Sequence, residues 1–174
     1  MNGRIVGATI IVFAAIAGAA LYYLQEYYFY EDVSDGVESI DLSVAGSGET
    51  KSIEAYDIQA INAISSPIRF RACFLTDQPR AVLAETYRTE PAAEPLNAPR
   101  WFDCFDSQEI GEALETGGAT AFVSKENIVY GIDRIVAIME DGRGFAWNQI
   151  NHCGEVVFDG DPAPEGCPPP PDRD

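Results

Sequence analysis

The residues most suited to chemistry are four cysteines and a single histidine. A Ser-His or Cys-His catalytic pair needs a histidine base beside a free nucleophile. The single histidine, His152, directly precedes Cys153. The chain carries no G-x-S-x-G nucleophile elbow and no G-x-x-x-x-G-K-[ST] phosphate-binding loop. Asp103 with Asp106 is one of many carboxylate pairs in an acidic chain, and helix capping is its ordinary role. We therefore expect a non-enzymatic protein without a cofactor.

The four cysteines are Cys73, Cys104, Cys153 and Cys167. An even number in an oxidising compartment indicates two disulfides, for which the sequence permits three pairings. We favour Cys73 with Cys104 and Cys153 with Cys167, because each bond then closes a local loop around a proline-rich segment. Each closure would contribute about 3 to 4 kcal/mol. Structural zinc and c-type haem sites use C-x-x-C motifs, and the chain has none.

A cluster of carboxylates near the C-terminus is a weak calcium candidate. Asp159, Asp161 and Glu165 follow one another closely, and calcium prefers several oxygen ligands in a flexible loop. Their spacing does not match an EF-hand loop. The ordinary interpretation is a Pro/Gly turn closed by Cys167.

Five further residues are candidates for binding a partner. Arg69 and Arg71 are predicted to share one face of a strand, where they either pair with local carboxylates or recognise an anionic group. Trp101, Phe102 and Phe105 belong either to the core or to a surface that contacts another protein.

The net charge of −17 limits the classes of partner. Within residues 1–30 only Arg4 and Glu26 are charged, and they cancel, so the whole excess lies on residues 31–174. Nucleic acid is excluded, because binding it requires Lys and Arg to displace counterions. Anionic lipid headgroups are repelled as well. A cation or a cationic small ligand is the kind of small molecule that this charge favours.

These residues follow an apolar stretch that is long enough to cross a membrane. Residues 5–24 contain no charge, and at 1.5 Å per residue they form roughly 30 Å of helix, the thickness of the hydrocarbon core. Arg4 precedes the stretch and acidic residues follow it, so the positive-inside rule places residues 1–4 in the cytoplasm. A belt of aromatic residues suited to the far interface runs to residue 30. It comprises Tyr22, Tyr23, Tyr27, Tyr28, Phe29 and Tyr30.

A cleavable signal peptide is the competing interpretation of this stretch. Residues 15–17 and 17–19 both have the small-x-small form that signal peptidase accepts. A retained anchor is favoured, because the apolar stretch continues past both sites into the aromatic belt. Cleavage would instead release a periplasmic form. Ala14 and Gly18 lie on one face of the helix, which permits close packing of a second transmembrane helix, although an alanine-rich anchor explains them equally well.

The remaining chain is predicted to be one α+β domain of mostly antiparallel sheet with one clear helix. Residues 31–38 are expected to form an acidic tether, 39–167 the domain and 168–174 a disordered proline-rich tail. The helix should begin after Asp106, which with Glu109 has the spacing of a capping box, and end at Gly117. No regular structure is expected in residues 84–100, where three prolines occur. Alternating or apolar patterns predict strands at 39–44, 51–55, near 60, and at 68–76, 119–123, 128–139, 145–150 and 155–158.

Several short motifs, taken together, are specific. They lie at residues 21–25, 69–74, 101–105, 141–145 and 149–158, with Cys167 before a proline run. With them the chain resembles a domain-of-unknown-function family of alphaproteobacterial single-anchor membrane proteins. Some relatives carry the label histidine kinase, which no ATP-binding or phosphoacceptor motif in this chain supports. The resemblance implies an inner-membrane, periplasm-facing location and offers no catalytic residue.

The sequence therefore predicts a protein of the bacterial inner membrane with a cytoplasmic N-terminus and a periplasmic, disulfide-bonded domain. We expect a non-enzymatic accessory, assembly or interaction subunit of a membrane protein complex. The alternative is a periplasmic sensor or binding module for a cation or cationic ligand.

Overall fold

The computed structural model describes residues 2–171 and consists of an apolar helix followed by an α+β domain. The domain is built mainly from antiparallel strands, and the predicted fold class is confirmed. The residues that the family resemblance depended on, apart from 21–25, all lie in this domain.

The N-terminal helix α1 spans Gly3–Tyr23 and continues through a π-helical turn at Leu24–Tyr28. No residue of α1 is buried against the rest of the chain. The combined helix has the length and apolar character needed to cross a membrane, as a signal sequence at this end of a chain also has. It contains the predicted span 5–24 and extends beyond it at both ends.

Up to residue 171 the domain contains eight strands and three α-helices, with short 3-10 turns at Ser34–Gly36 and Pro67–Arg69. The strands are β1 Tyr30–Asp32, β2 Ile40–Ser43, β3 Thr50–Ile53, β4 Tyr56–Ala63, β5 Arg71–Leu75, β6 Ala119–Val129, β7 Ile132–Met139 and β8 Arg143–Ile150. The helices are α2 Arg80–Thr86, α3 Ser107–Thr116 and α4 His152–Phe158. Six strands form one sheet in the order β1-β4-β5-β8-β7-β6, and β2 with β3 forms a separate hairpin.

The six-stranded sheet separates two hydrophobic cores. One core contains Trp147 and Ile135 and is covered by Ile110 of α3. The other contains Phe122 and is covered by Leu42 of the β2–β3 hairpin. Because both faces of the central strands are buried, β7 is an almost continuous apolar run instead of an alternating one.

The predicted helix is confirmed as α3. The Asp106 side chain accepts hydrogen bonds from the backbone N–H groups of Gln108 and Glu109, which have no partner within the helix. Gly117 ends the helix in the left-handed conformation, with φ of 78°. Local capping chemistry alone was sufficient to place this element.

Two elements differ from the predicted secondary structure. Residues 155–158 form part of α4 instead of a strand, because the Asn151 side chain accepts the Gly154 N–H and starts a helix that Val156 and Val157 alone would not favour. The predicted strand 128–139 is broken by a turn at Gly131, where φ is 78°. In both cases a local polar or glycine signal overrides an apolar run.

The segments predicted to be irregular also contain regular structure. Residues 31–38 do not form a free tether, since β1 pairs with β4 and the Val33 N–H bonds the Ala60 carbonyl. Backbone pairing of this kind needs no apolar side chains, so acidic residues can take part in it. Helix α2 extends into the segment 84–100 that was expected to lack regular structure.

The cysteines pair as predicted, Cys73 with Cys104 and Cys153 with Cys167. Residues 168–171 have no regular secondary structure, and the Tyr130 hydroxyl donates a hydrogen bond to the Pro168 carbonyl. The rest of the predicted tail, 172–174, lies outside the described residues.

Two glycine substitutions should have opposite effects on stability. A Cβ at Gly144 in β8 would lie 2.2 Å from the Phe74 ring, whereas one at Gly111 in α3 meets only Pro95, at 3.8 Å. Gly144→Ala should therefore destabilise the domain by about 1 to 3 kcal/mol through overpacking. Gly111→Ala should stabilise it by about 0.5 to 1 kcal/mol. Urea unfolding of the full-length protein in detergent measures both, and equal midpoints for the two variants would contradict this packing.

Candidate functional site

The end of the apolar helix is fixed to the domain by a loop that carries Trp101. The Trp101 Nε1 donates a hydrogen bond of 2.7 Å to the Glu26 carbonyl, and the Arg100 N–H donates one of 2.7 Å to the Glu26 carboxylate. The last carbonyls of a helix lack partners within it, so an external donor is stabilising there. The Tyr27 ring stacks on Trp101, with centroids 6.4 Å apart and planes at 18°. We call these residues, 24–30 and 97–106, the junction.

The junction continues into the domain core through aromatic contacts. Trp101 meets Tyr30 edge to face at 6.0 Å, and Phe102 at 6.3 Å. Phe102 and Phe105 are buried, and Phe105 packs edge to face on Trp147. The partly exposed Trp101 ring is therefore continuous with the first hydrophobic core.

Arg71 fixes the loop to β5. It is 3% exposed, and its guanidinium donates four hydrogen bonds to backbone carbonyls. Two of these carbonyls belong to Leu96 and Asn97 in the loop, at 2.9 and 3.0 Å. Burial lowers the pKa of Arg71 to about 10, which still leaves it charged at neutral pH. The Cys73–Cys104 disulfide attaches the same loop to the same strand further along.

The expectation that Arg69 and Arg71 share a strand face is wrong. Arg69 lies in a 3-10 turn at Pro67–Arg69, where its guanidinium is 5.6 Å from the centre of the Tyr30 ring. Arg71 donates to carbonyls and forms no ion pair with a carboxylate within residues 2–171. Pro67 accounts for the difference, because proline at the first position favours a helical turn over a strand.

An open groove of about 480 Å³ lies beside the junction. It is lined by the acidic residues Glu26, Asp103 and Asp106, with Phe102 and Arg100 alongside. Asp106 also caps α3, so this carboxylate serves the fold as well. The groove offers hydrogen-bond acceptors and negative charge next to the helix end, a surface suited to basic groups.

His152 does not form a nucleophilic site. It is exposed at the start of α4, beside a cavity of about 480 Å³. No serine, threonine or tyrosine is among the described residues that line this cavity, and Cys153 is disulfide-bonded. The acidic residues at this cavity are Glu90, Glu126, Asp133 and Glu155. The Asp133 carboxylate accepts hydrogen bonds from the Asn127 N–H and the Asn151 side chain, which gives it a structural role.

The calcium candidate is not supported. Among residues 2–171 no three His, Cys, Asp or Glu side chains converge in a way that would hold a metal ion. Asp159, Asp161 and Glu165 instead lie on exposed chain after α4. The fold of this segment comes from the disulfide and the glycine turns, without a set of oxygen ligands facing one point.

The predicted aromatic belt divides in two. Tyr22, Tyr23, Tyr27 and Tyr28 are exposed on the helix, whereas Tyr30 lies in β1 and packs against the first core. Ala14 and Gly18 are exposed on α1, and a Cβ at Gly18 would meet nothing within 4 Å.

Glu26 is the junction residue that the sequence did not identify. In the sequence it only balances the charge of Arg4, and its partners Arg100 and Trp101 lie more than seventy positions away. The available signal was a lone carboxylate among aromatic residues at the end of an apolar helix, a costly place for an unpartnered charge.

The sequence profile of a family of unknown function (DUF6446) matches residues 40–168. The match begins with β2 and ends one residue after Cys167, so it leaves out α1 and β1. No curated protein and no solved structure matches the chain.

Loss of the Trp101 side chain should release the helix from the domain. Trp101→Ala removes both the hydrogen bond to Glu26 and the stack on Tyr27. In detergent, chymotrypsin should then cut after Tyr27 or Tyr28 about tenfold faster. This factor corresponds to a free energy of local opening at the junction that is lower by about 1.4 kcal/mol. Tyr56→Ala removes an exposed tyrosine elsewhere and is the control. Unchanged cleavage in the Trp101 variant would show that these contacts do not hold the junction.

Proposed function

Because the chain belongs to the family of unknown function DUF6446, which carries no assigned activity, we propose a function from its geometry. The protein is a single-anchor envelope protein that holds an acidic, disulfide-bonded domain in a fixed orientation on a membrane. There it serves as a non-enzymatic accessory or assembly subunit of a membrane protein complex.

The unburied helix carries this proposal. None of the side chains of α1 packs against the domain, although its far end is attached there by Glu26 and Trp101. An apolar surface of this length is not stable in water, so lipid or another membrane helix must cover it. Attachment at one end only is the arrangement expected of an anchor that carries a domain, since a core helix would be buried along its length.

Charge and disulfides support a periplasmic location for the domain. Arg4 precedes the apolar stretch and Glu31, Asp32 and Asp35 follow it, which favours a cytoplasmic N-terminus. Both disulfides then lie in a compartment where they form readily. The inner membrane of a bacterium satisfies both conditions.

The junction favours a retained anchor over a cleaved leader. Cleavage after Ala17 or Ala19 would keep Glu26 and its partners but leave a short apolar stump. That stump would expose Leu21, Tyr22 and Tyr23 to water at the point where the domain is attached. A retained helix gives these side chains lipid and interfacial surroundings instead.

A fixed orientation is useful to a protein that presents a surface to a partner. The junction restricts the domain's rotation about the anchor, which lowers the ordering cost of binding a neighbour in the same membrane. The charge of −17 favours a partner with a basic periplasmic surface, through complementary potentials. On this protein, the acidic groove beside the junction offers a surface complementary to such a partner, close to the membrane end of the domain.

Topology can be tested directly. In spheroplasts, added protease should digest a C-terminal tag on the full-length protein, and alkaline carbonate should not extract the protein. Its intact mass should include residues 1–19. A mass beginning at residue 18 or 20 would show a cleaved leader, and a protected tag with reduced cysteines would place the domain in the cytoplasm.

The accessory role predicts a partner in the same membrane. Carboxylate-to-lysine crosslinking in native membranes, at native expression, should join the domain to lysines of another membrane protein. Raising the salt from about 0.1 to about 1 M shortens the screening length from about 10 to about 3 Å and should reduce the yield. Recovery of the uncrosslinked monomer alone at both salt concentrations would contradict the proposal.

A further inference from the structure

A small polar pocket lies beneath the β2–β3 hairpin, at the border of the second core. Its volume is about 260 Å³, and its floor includes Phe70 and Val136. The charged residues that line it are Arg134, Lys125 and Asp41, and Ser39, Thr50 and Ser124 supply hydroxyl groups. This is a concentration of positive charge inside a strongly acidic protein.

Arg134 is held in place but its charge is not compensated. Its Nε donates a 3.0 Å hydrogen bond to the side chain of buried Asn148, which in turn donates to the Pro67 carbonyl at 2.7 Å. The guanidinium carbon lies 3.8 Å from the centre of the Phe70 ring. Within residues 2–171 no carboxylate lies within 4 Å of this guanidinium, and its terminal nitrogens make no hydrogen bond.

The contrast with Arg71 shows what is missing. Arg71 is buried and likewise has no carboxylate partner within residues 2–171, but four carbonyls occupy its donors. Burial lowers the pKa of Arg134 too, with no opposing contribution from a partner. Arg134 is half-buried and its terminal nitrogens remain open to solvent, so these donors can reach a ligand that enters the pocket.

Lys125 adds a second cation at the same place, and it too has no ion pair among residues 2–171. It is the direct cross-strand partner of Arg134 in the β6–β7 pairing, so the two side chains project from the same face. Like charges opposite each other destabilise an antiparallel pair. Asp41 shares the lining but forms no ion pair with either cation within 4 Å, and its carboxylate accepts hydrogen bonds from the hydroxyls of Ser39 and Ser52 at 3.1 and 2.6 Å.

We propose that this pocket binds a small oxyanion, a phosphate or carboxylate group, through Arg134 and Lys125. The terminal nitrogens of a guanidinium match two oxygens of such a group, and the ammonium adds a point charge. At about 30 Å³ per water, the pocket has room for roughly nine water molecules, so the bound group has only a few heavy atoms. The proposal is independent of the membrane role proposed above.

The bound oxyanion has two sources with the same chemistry, a free anion or a carboxylate on a protein partner. The acidic surface repels a free anion at long range, so short contacts in the pocket must supply the affinity. Inorganic phosphate and acetate, each at constant ionic strength set with sodium chloride, represent the two oxyanion types.

The test is calorimetric titration of the full-length protein in non-ionic detergent. Phosphate or acetate should bind the wild type, Lys125→Gln should weaken binding about five- to tenfold, and Arg134→Gln should weaken it more than tenfold. Arg88→Gln makes the same charge change at an exposed ion pair with Glu126 and should leave binding unchanged. Preference for phosphate supports a free anion, and preference for acetate supports a carboxylate on a partner.

Other outcomes would overturn the proposal. The first is that neither probe binds, and the second is that the wild type and Lys125→Gln bind equally well. The third is that Arg88→Gln weakens binding as much as Lys125→Gln does, which would indicate attraction to net charge alone. If Arg134→Gln does not fold, Lys125→Gln decides the question, because its exposed side chain contributes little to the fold.

Discussion

The attachment of the proline-rich loop to β5 determines how the domain sits on its helix. Arg71 binds the loop carbonyls at Leu96 and Asn97, and the Cys73–Cys104 disulfide fixes the loop a few residues later. Trp101 lies between these two attachments and meets the Glu26 carbonyl. The sheet therefore positions the loop, and the loop in turn positions the apolar helix.

Three arginines with different partners illustrate how a strongly acidic protein uses its few cations. The Arg71 guanidinium donates hydrogen bonds to backbone carbonyls. Arg143 pairs with Glu109 and Asp141, and these carboxylates raise the pKa of Arg143. Arg134 has neither kind of partner within the described part of the chain. Surface pairs such as that of Arg143 contribute little to stability, so buried Arg71 and half-buried Arg134 are the arginines of most structural and binding interest.

Local chemistry made much of the fold predictable. The cap at Asp106 and the left-handed Gly117 follow from residue types at short separation. The disulfide pairing follows from joining each cysteine to its neighbour along the chain, 31 and 14 residues apart. What the sequence could not supply depends on contacts between distant residues. Arg71 shows this well: the pattern placed it on a strand face, but only the folded loop provides the carbonyls that bury it. Glu26 and Arg134 were missed for the same reason, since their partners come from other elements.

Amide hydrogen exchange of the full-length protein in lipid nanodiscs tests the attached helix most directly. The account predicts that peptides from residues 24–30 and 97–104 exchange slowly and at similar rates, because the two segments are held by shared hydrogen bonds. Rapid exchange of residues 24–30, at the rate of an unstructured linker, would show that the domain moves freely relative to the apolar helix and would contradict the account.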